Sequence, residues 1–209
     1  MNEKTAKISP SFWLRRLHSL SGIFPIGVFL LEHMFTNSFI VQGADAYNSK
    51  IEFLRGLPYV AVIEILFIGV PILYHAGYGF FIWYTGKVNL SSYPYAKNYL
   101  YALQRWSGLV SLVYILYHVY ETRIVNAIYG TEVSFARMQL LMQNPFVFWF
   151  YVVGLLAVCF HFANGLWGFC VSWGITIGPK SQRYSGIIFG IIGFMIFASG
   201  VNSLFFLIK

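Results

Sequence analysis

Residues 146–173 read FVFWFYVVGLLAVCFHFANGLWGFCVSW, without one Asp, Glu, Lys or Arg. A helix needs about 20 apolar residues to cross the hydrocarbon core of a bilayer, so this run predicts a transmembrane helix. Working outward, four more apolar runs of spanning length occur at residues 17–40, 59–86, 104–128 and 184–207. The third is the weakest, because Glu121 and Arg123 lie near its end. Short polar links separate the runs and carry breakers: Gly56 and Pro58, Pro94, Gly130, Pro145, Gly178 and Pro179. The expected fold class is all-α, an integral membrane bundle of five transmembrane helices in a single membrane domain over residues 1–209.

Composition agrees. The chain has 209 residues, 58% of them hydrophobic and only 10% charged, where a soluble domain carries roughly 25% charged residues. Mean hydropathy is +0.65. These values exclude an ordinary cytosolic enzyme, a disordered chain and a nucleic-acid binder, despite a net charge of +7. Aromatics reach 20%, and Trp106, Trp167 and Trp173 read as anchors at the lipid–water interface. So little mass outside the bilayer cannot house a substrate-oxidising domain, and an enzymatic role needs partner subunits. Cys159 and Cys170 are the two cysteines. Eleven residues apart on one helix, they stand roughly 16 Å from each other, too far for a disulfide within the chain.

The start of the chain is basic, but the apolar run behind it is long enough to span and lacks a small-residue cleavage site. It reads as an uncleaved first helix with a cytoplasmic N-terminus. The alternating segments then place Lys4, Lys7, Arg15, Arg16, Lys87, Lys97, Arg105, Lys180 and Arg183 inside, against one acid, Glu3. Lys50, Arg55, Arg123, Arg137 and Lys209 fall outside, mixed with Asp45, Glu52 and Glu132. The positive-inside rule favours this orientation, with the C-terminus outside. A cationic inner face also suits docking of a soluble partner.

The chemistry lies in the histidines. His33, His75, His118 and His161 fall one per helix on the first four predicted helices, spaced by 42, 43 and 43 residues. An ionisable group inside a membrane is costly and is by default functional. Counted from the outer helix ends, His33 lies roughly 10 Å deep and His118 at most roughly 15 Å, while His75 and His161 lie roughly 24 and 22 Å deep. Two pairs at two depths suit bis-histidine haem, where each iron takes an axial nitrogen from either side of the porphyrin. Gly79 and Gly165 follow the inner histidines at i+4, on the same helix face, and read as room for a porphyrin plane. Zinc and di-iron bundle sites add carboxylates at such spacings. Here only Glu32, beside His33, and Glu121, three residues after His118, come near.

The stretches FWLRRLHSLSGIFPIGVFLLEH, EILFIGVPILYHAGYG, LQRWSGLVSLVYILYHVYETR and FHFANGLWGFCVSWGIT resemble the single-chain, di-haem cytochrome b558 anchors of succinate:menaquinone oxidoreductases. The resemblance covers nearly the whole chain. It implies two haem b groups, a distal one on His33 and His118 and a proximal one on His75 and His161. It implies menaquinone as substrate, a flavoprotein and an iron–sulfur subunit as partners on the inner face, and a bacterial cytoplasmic membrane as location. Arg16, His18 and Ser21, with Arg15, Arg105 and Lys180, lie toward the inner face and are candidates to meet haem propionates or the iron–sulfur partner. Glu64, five residues into the second helix from the outside, is the candidate proton carrier for quinone chemistry, with Glu32 and Glu121 behind it. Asn164 is a candidate helix–helix contact or propionate donor.

Two other readings stay open on the sequence. One is the cytochrome b of a formate dehydrogenase or hydrogenase, whose soluble partner lies outside. The other is a haem-free transporter using the histidines as a proton relay.

Overall fold

The structure is a computed structural model and describes residues 10–209. Glu3, Lys4 and Lys7, which enter the charge comparison, lie outside the described residues. The described chain is helical, with no strand.

The first expected span is two helices. Helix α1 runs Pro10–Ile23 and α2 runs Ile26–Ser38, continued by a 3-10 turn over Phe39–Gln42. Pro25 separates them, because a proline inside a helix lacks an N–H and crowds the preceding turn. The second span is a continuous rod of α4, Val60–Glu64, a single π turn over Ile65–Gly69, and α5, Val70–Thr85. The third is α6, Ala96–Val119, a second π turn over Tyr120–Ile124, and α7, Val125–Tyr129, which ends at Gly130 in a left-handed conformation. Then come α9, Pro145–Ser172, and α10, Pro179–Leu207. Pro145 sits in the first turn of α9, where Asn144 Oδ1 accepts from the backbone N–H groups of Phe146 and Val147. That cap fixes where the helix starts. At 28 residues, α9 is roughly 42 Å long.

Several helices extend beyond their apolar runs. Helix α6 begins at Ala96 and α10 at Pro179, ahead of the expected starts at 104 and 184. Hydropathy marks the lipid-facing stretch, whereas the backbone continues until a proline or an extended residue stops it. Among the described residues, four helical segments are long and apolar enough to cross a membrane: Ser11–Gln42, Val60–Thr85, Pro145–Ser172 and Pro179–Leu207. The rod from Ala96 to Tyr129 is as long but more polar, carrying Lys97, Gln104, Arg105, Glu121 and Arg123.

Two links are also helical. Helix α3, Ala44–Arg55, and α8, Phe135–Met142, close the end of the bundle that the charge pattern assigns to the outside. They are joined by Phe135 N–H donating to Asn48 Oδ1 at 2.8 Å and by the Arg55–Glu132 ion pair at 2.8 Å. The main buried cluster lies there, where Tyr47, Met138 and Met142 meet Ile40, Phe148, Tyr151 and Leu207. Helix α9 is the central post, packed on α6 and α10 and reached by α1, while α1 also pairs with α5. Large apolar side chains point away from the bundle: Leu73, Phe146 and Phe194 are 75%, 86% and 69% exposed. Such a surface is a liability in water and is at home in lipid.

Candidate functional site

The packing of α9 between α6 and α10, and of α1 against α5, brings the histidines of different helices together in two places. His75 on α5 and His161 on α9 meet edge to face, with ring centroids 6.2 Å apart and planes at 88°. His33 on α2 and His118 on α6 meet similarly, at 5.6 Å and 78°. Depth along the helices pairs the same residues.

The rings of His75 and His161 are held by their Nδ1 atoms. His75 Nδ1 lies 3.0 Å from the carbonyl oxygen of His18 and 3.2 Å from Ser21 Oγ. His161 Nδ1 lies 3.0 Å from the carbonyl oxygen of Gln104 and 3.4 Å from Ser107 Oγ. A carbonyl only accepts, so in both rings Nδ1 carries the proton. Each Nε2 then keeps its lone pair, the tautomer a metal-ligating imidazole needs, and at His161 the side-chain amide nitrogen of Gln104 stands 3.5 Å from it. The rings rest on glycines of the neighbouring helices. A Cβ at Gly22 would stand 2.5 Å from His75 Cε1, and one at Gly108 would stand 2.8 Å from His161 Cε1.

The glycines that follow the histidines border side chains of the neighbouring helices. Gly79 makes room for the ring of His18, and Gly165 for the amide of Gln104, at 3.1 and 3.4 Å from a would-be Cβ. Sequence reasoning missed Gly22, Gln104, Ser107 and Gly108. Their signal was present as a Ser-Gly pair at the same point of the first and third spans.

The remaining candidates fall around this frame. His18 stacks on His75, with centroids 4.2 Å apart and planes 12° from parallel. Ser21 is buried and donates to the His18 carbonyl at 2.9 Å. Asn164 donates to Gln104 Oε1 at 2.8 Å, which orients that amide toward the His161 carbonyl at 3.0 Å. Arg16 donates to the Ser172 carbonyl at the end of α9, and its guanidinium lies over Trp173 at 5.2 Å. Arg105 donates to the carbonyls of Trp83 and Gly86 at the end of α5. Both arginines therefore satisfy the exposed carbonyls at the C-terminal ends of the two helices that carry His75 and His161, where a cation is favoured.

His33 and His118 are supported differently. Tyr151 OH lies 3.4 Å from His118 Nδ1, and Asn37 donates to the His33 carbonyl at 2.8 Å. Thr36 donates to Glu32 at 2.7 Å, and Arg137 pairs with Glu121 at 3.3 Å. The two carboxylates near these histidines are thus engaged elsewhere. Glu64 pairs with Arg123, so the ion pair links the residue before one π turn to a residue inside the other. Such turns are frequent at functional sites.

The donor set fits haem iron better than a bare metal ion. Among the described residues no three His, Cys, Asp or Glu side chains group to hold a metal. Each site offers two imidazoles. Two metal–nitrogen bonds of about 2 Å with the ring bodies behind them span roughly 6 Å between centroids, a length close to the 6.2 and 5.6 Å that separate the two pairs. A porphyrin supplies the other four nitrogens. Ser111, on the α6 face that carries Gly108 and His118, is buried with its hydroxyl lacking a protein partner. An additional polar group in the bundle would answer it.

Comparison with known proteins points the same way. A model of the succinate dehydrogenase/fumarate reductase transmembrane subunit family matches residues 87–201. The succinate dehydrogenase cytochrome b558 subunit of Bacillus subtilis (strain 168) is 43% identical over 194 residues, covering 93% of this chain and 96% of that protein.

Proposed function

The chain belongs to the succinate dehydrogenase/fumarate reductase transmembrane subunit family, and we propose that it is a di-haem cytochrome b anchor carrying electrons between the iron–sulfur subunit of the complex and menaquinone. The observation that carries this reading is the pair of crossed histidine couples, His75 with His161 and His33 with His118. Haem b bound between each couple would supply a one-electron carrier inside the bilayer, where no side chain of this chain provides one.

The residues divide the work. His75 and His161 bind at the inner site, with Nδ1–H turned into a backbone carbonyl and Nε2 left for iron. His33 and His118 bind at the outer site. The surrounding apolar helices exclude water from both. The rod from Ala96 to Tyr129 is the fifth span, tolerated in lipid because its polar groups face partners within the bundle: Gln104 toward α9, Arg105 toward the end of α5, and Arg123 toward Glu64.

Menaquinone reacts at the outer end, near the outer couple. Quinone chemistry there needs two protons with its two electrons, so a group that accepts and releases protons must stand close by. Glu64 has that role, held beside Arg123 and 33% exposed in its side chain. Arg15, Arg16, Lys87, Lys97, Arg105, Lys180 and Arg183 form the inner basic face that receives the flavoprotein and iron–sulfur subunits. The N-terminus is cytoplasmic and the C-terminus outside.

A reduced-minus-oxidised spectrum of the purified complex tests the reading. b-type absorption that co-purifies with a flavoprotein and an iron–sulfur subunit is the expected result. A complex with no b-type bands, or a chain that purifies with neither subunit, overturns it.

A further inference from the structure

The inner site is built twice from one pattern. Adding 86 to the residue number turns Ser21 into Ser107, Gly22 into Gly108, His75 into His161 and Gly79 into Gly165, and it maps His18 onto Gln104. The contacts repeat with the numbers. In the first copy the His75 Nδ1, His18 carbonyl and Ser21 Oγ atoms form a triangle with sides of 3.0, 2.9 and 3.2 Å. In the second, His161 Nδ1, the Gln104 carbonyl and Ser107 Oγ form one with sides of 3.0, 3.1 and 3.4 Å. In each the carbonyl, the serine and the glycine stand at i, i+3 and i+4, so they share one helix face. The glycine lets the imidazole lie against the helix, and the carbonyl and hydroxyl then share its Nδ1–H.

We propose that Ser21 and Ser107 are paired positioning residues for the inner haem, each steering one axial histidine through a shared Nδ1–H. The inference rests on the reading of His75 and His161 as an axial couple. A helix carbonyl at i already accepts from the N–H at i+4, so it is a second-hand acceptor for the imidazole. The serine hydroxyl ties this acceptor down by donating to it, and turns its own lone pair toward Nδ1–H. Partners of this kind fix the tautomer and ring orientation of metal-bound histidines, and their loss commonly weakens metal binding about 10- to 100-fold. The outer couple has no equivalent: His118 faces Tyr151 OH at 3.4 Å. The two sites therefore respond separately.

The test uses the assembled membrane complex carrying Ser21→Ala, Ser107→Ala, the double alanine variant, and Ser21→Thr and Ser107→Thr. Potentiometric titration and low-temperature electron paramagnetic resonance read each haem. Each alanine variant should shift the midpoint potential and the resonance of the inner haem alone. The double variant should lose inner haem and keep the outer one, which reports that the bundle has folded. Threonine keeps the hydroxyl and should restore the wild-type signals. Unchanged inner-haem signals in both alanine variants overturn the proposal. So does a loss of both haems that threonine fails to rescue, because that marks a packing defect. Retention of the inner haem in His75→Ala or His161→Ala would instead defeat the underlying ligand assignment, and it is read from separate variants.

Discussion

His18 lies flat against His75, with ring centroids 4.2 Å apart and planes 12° from parallel. A fifth histidine therefore packs on the couple of His75 and His161, and its place near the helix end also suggests contact with a haem propionate or the iron–sulfur partner. It fills the space between His75 and Gly79. Replacing it by alanine opens a void against an axial ring, at a cost of roughly 1–3 kcal/mol. His18→Ala should shift the spectrum and potential of the inner haem and leave the outer haem in place, as read by redox titration of the complex. An effect confined to the outer haem would contradict this placement.

Steric fit gives a sharper expectation at Gly22 and Gly108. A methyl group at either meets an imidazole of the inner couple, at 2.5 and 2.8 Å. Overpacking of this kind costs about 1–3 kcal/mol. Gly22→Ala and Gly108→Ala should each lower inner-haem occupancy. Gly190→Ala, where nothing lies within 4 Å of the new Cβ, should keep both haems. Haem content per chain in the three variants checks it.

Glu64 sits at the other end of the molecule's chemistry. Its exchange for glutamine removes the proposed proton carrier and the charge that pairs with Arg123. Arg123 is 58% exposed, so the lost pair should cost no more than about 1 kcal/mol of stability. Glu64→Gln should depress quinone-linked turnover by at least about tenfold while both haems and succinate–dye activity persist. Equal quinone turnover in the variant and the parent would remove Glu64 from the mechanism.

Topology is open to labelling. Ser49 on α3 and Ser92 in the link between α5 and α6 are both exposed. With the two native cysteines replaced, Ser49→Cys should react with an impermeant thiol reagent in intact cells, and Ser92→Cys should react only after the membrane is opened. The reverse pattern would invert the bundle.

How much of this could be read from the sequence depends on the kind of signal. The spans and the pairing of His33 with His118 and of His75 with His161 rest on hydropathy and helix rise, which are local, and the same rings meet in the structure. Helices α3 and α8 were hidden because, at 12 and 8 residues, neither is long enough to read as a span, and the burial of Tyr47, Met138 and Met142 against the bundle end exists only in the fold. Arg16 and Arg105 read as candidates for haem propionates or the iron–sulfur partner, and their contacts to helix-end carbonyls exist only once the helices are side by side. The glycines after the inner histidines were legible as small residues but not as the seats of His18 and Gln104. Ser107 was passed over because a serine's partner in a bundle is a carbonyl on its own helix and a ring on another. The 86-residue correspondence was available in the chain, and its meaning needed the two triangles.

Haem content of the assembled complex, measured for the wild type and for single alanine variants at His33, His75, His118 and His161, tests the di-haem arrangement most directly. The expected result is two haems b per wild-type chain. Replacing His75 or His161 should remove the same one, and replacing His33 or His118 the other. One haem per chain, or a chain lacking all four histidines that still holds both, would contradict it.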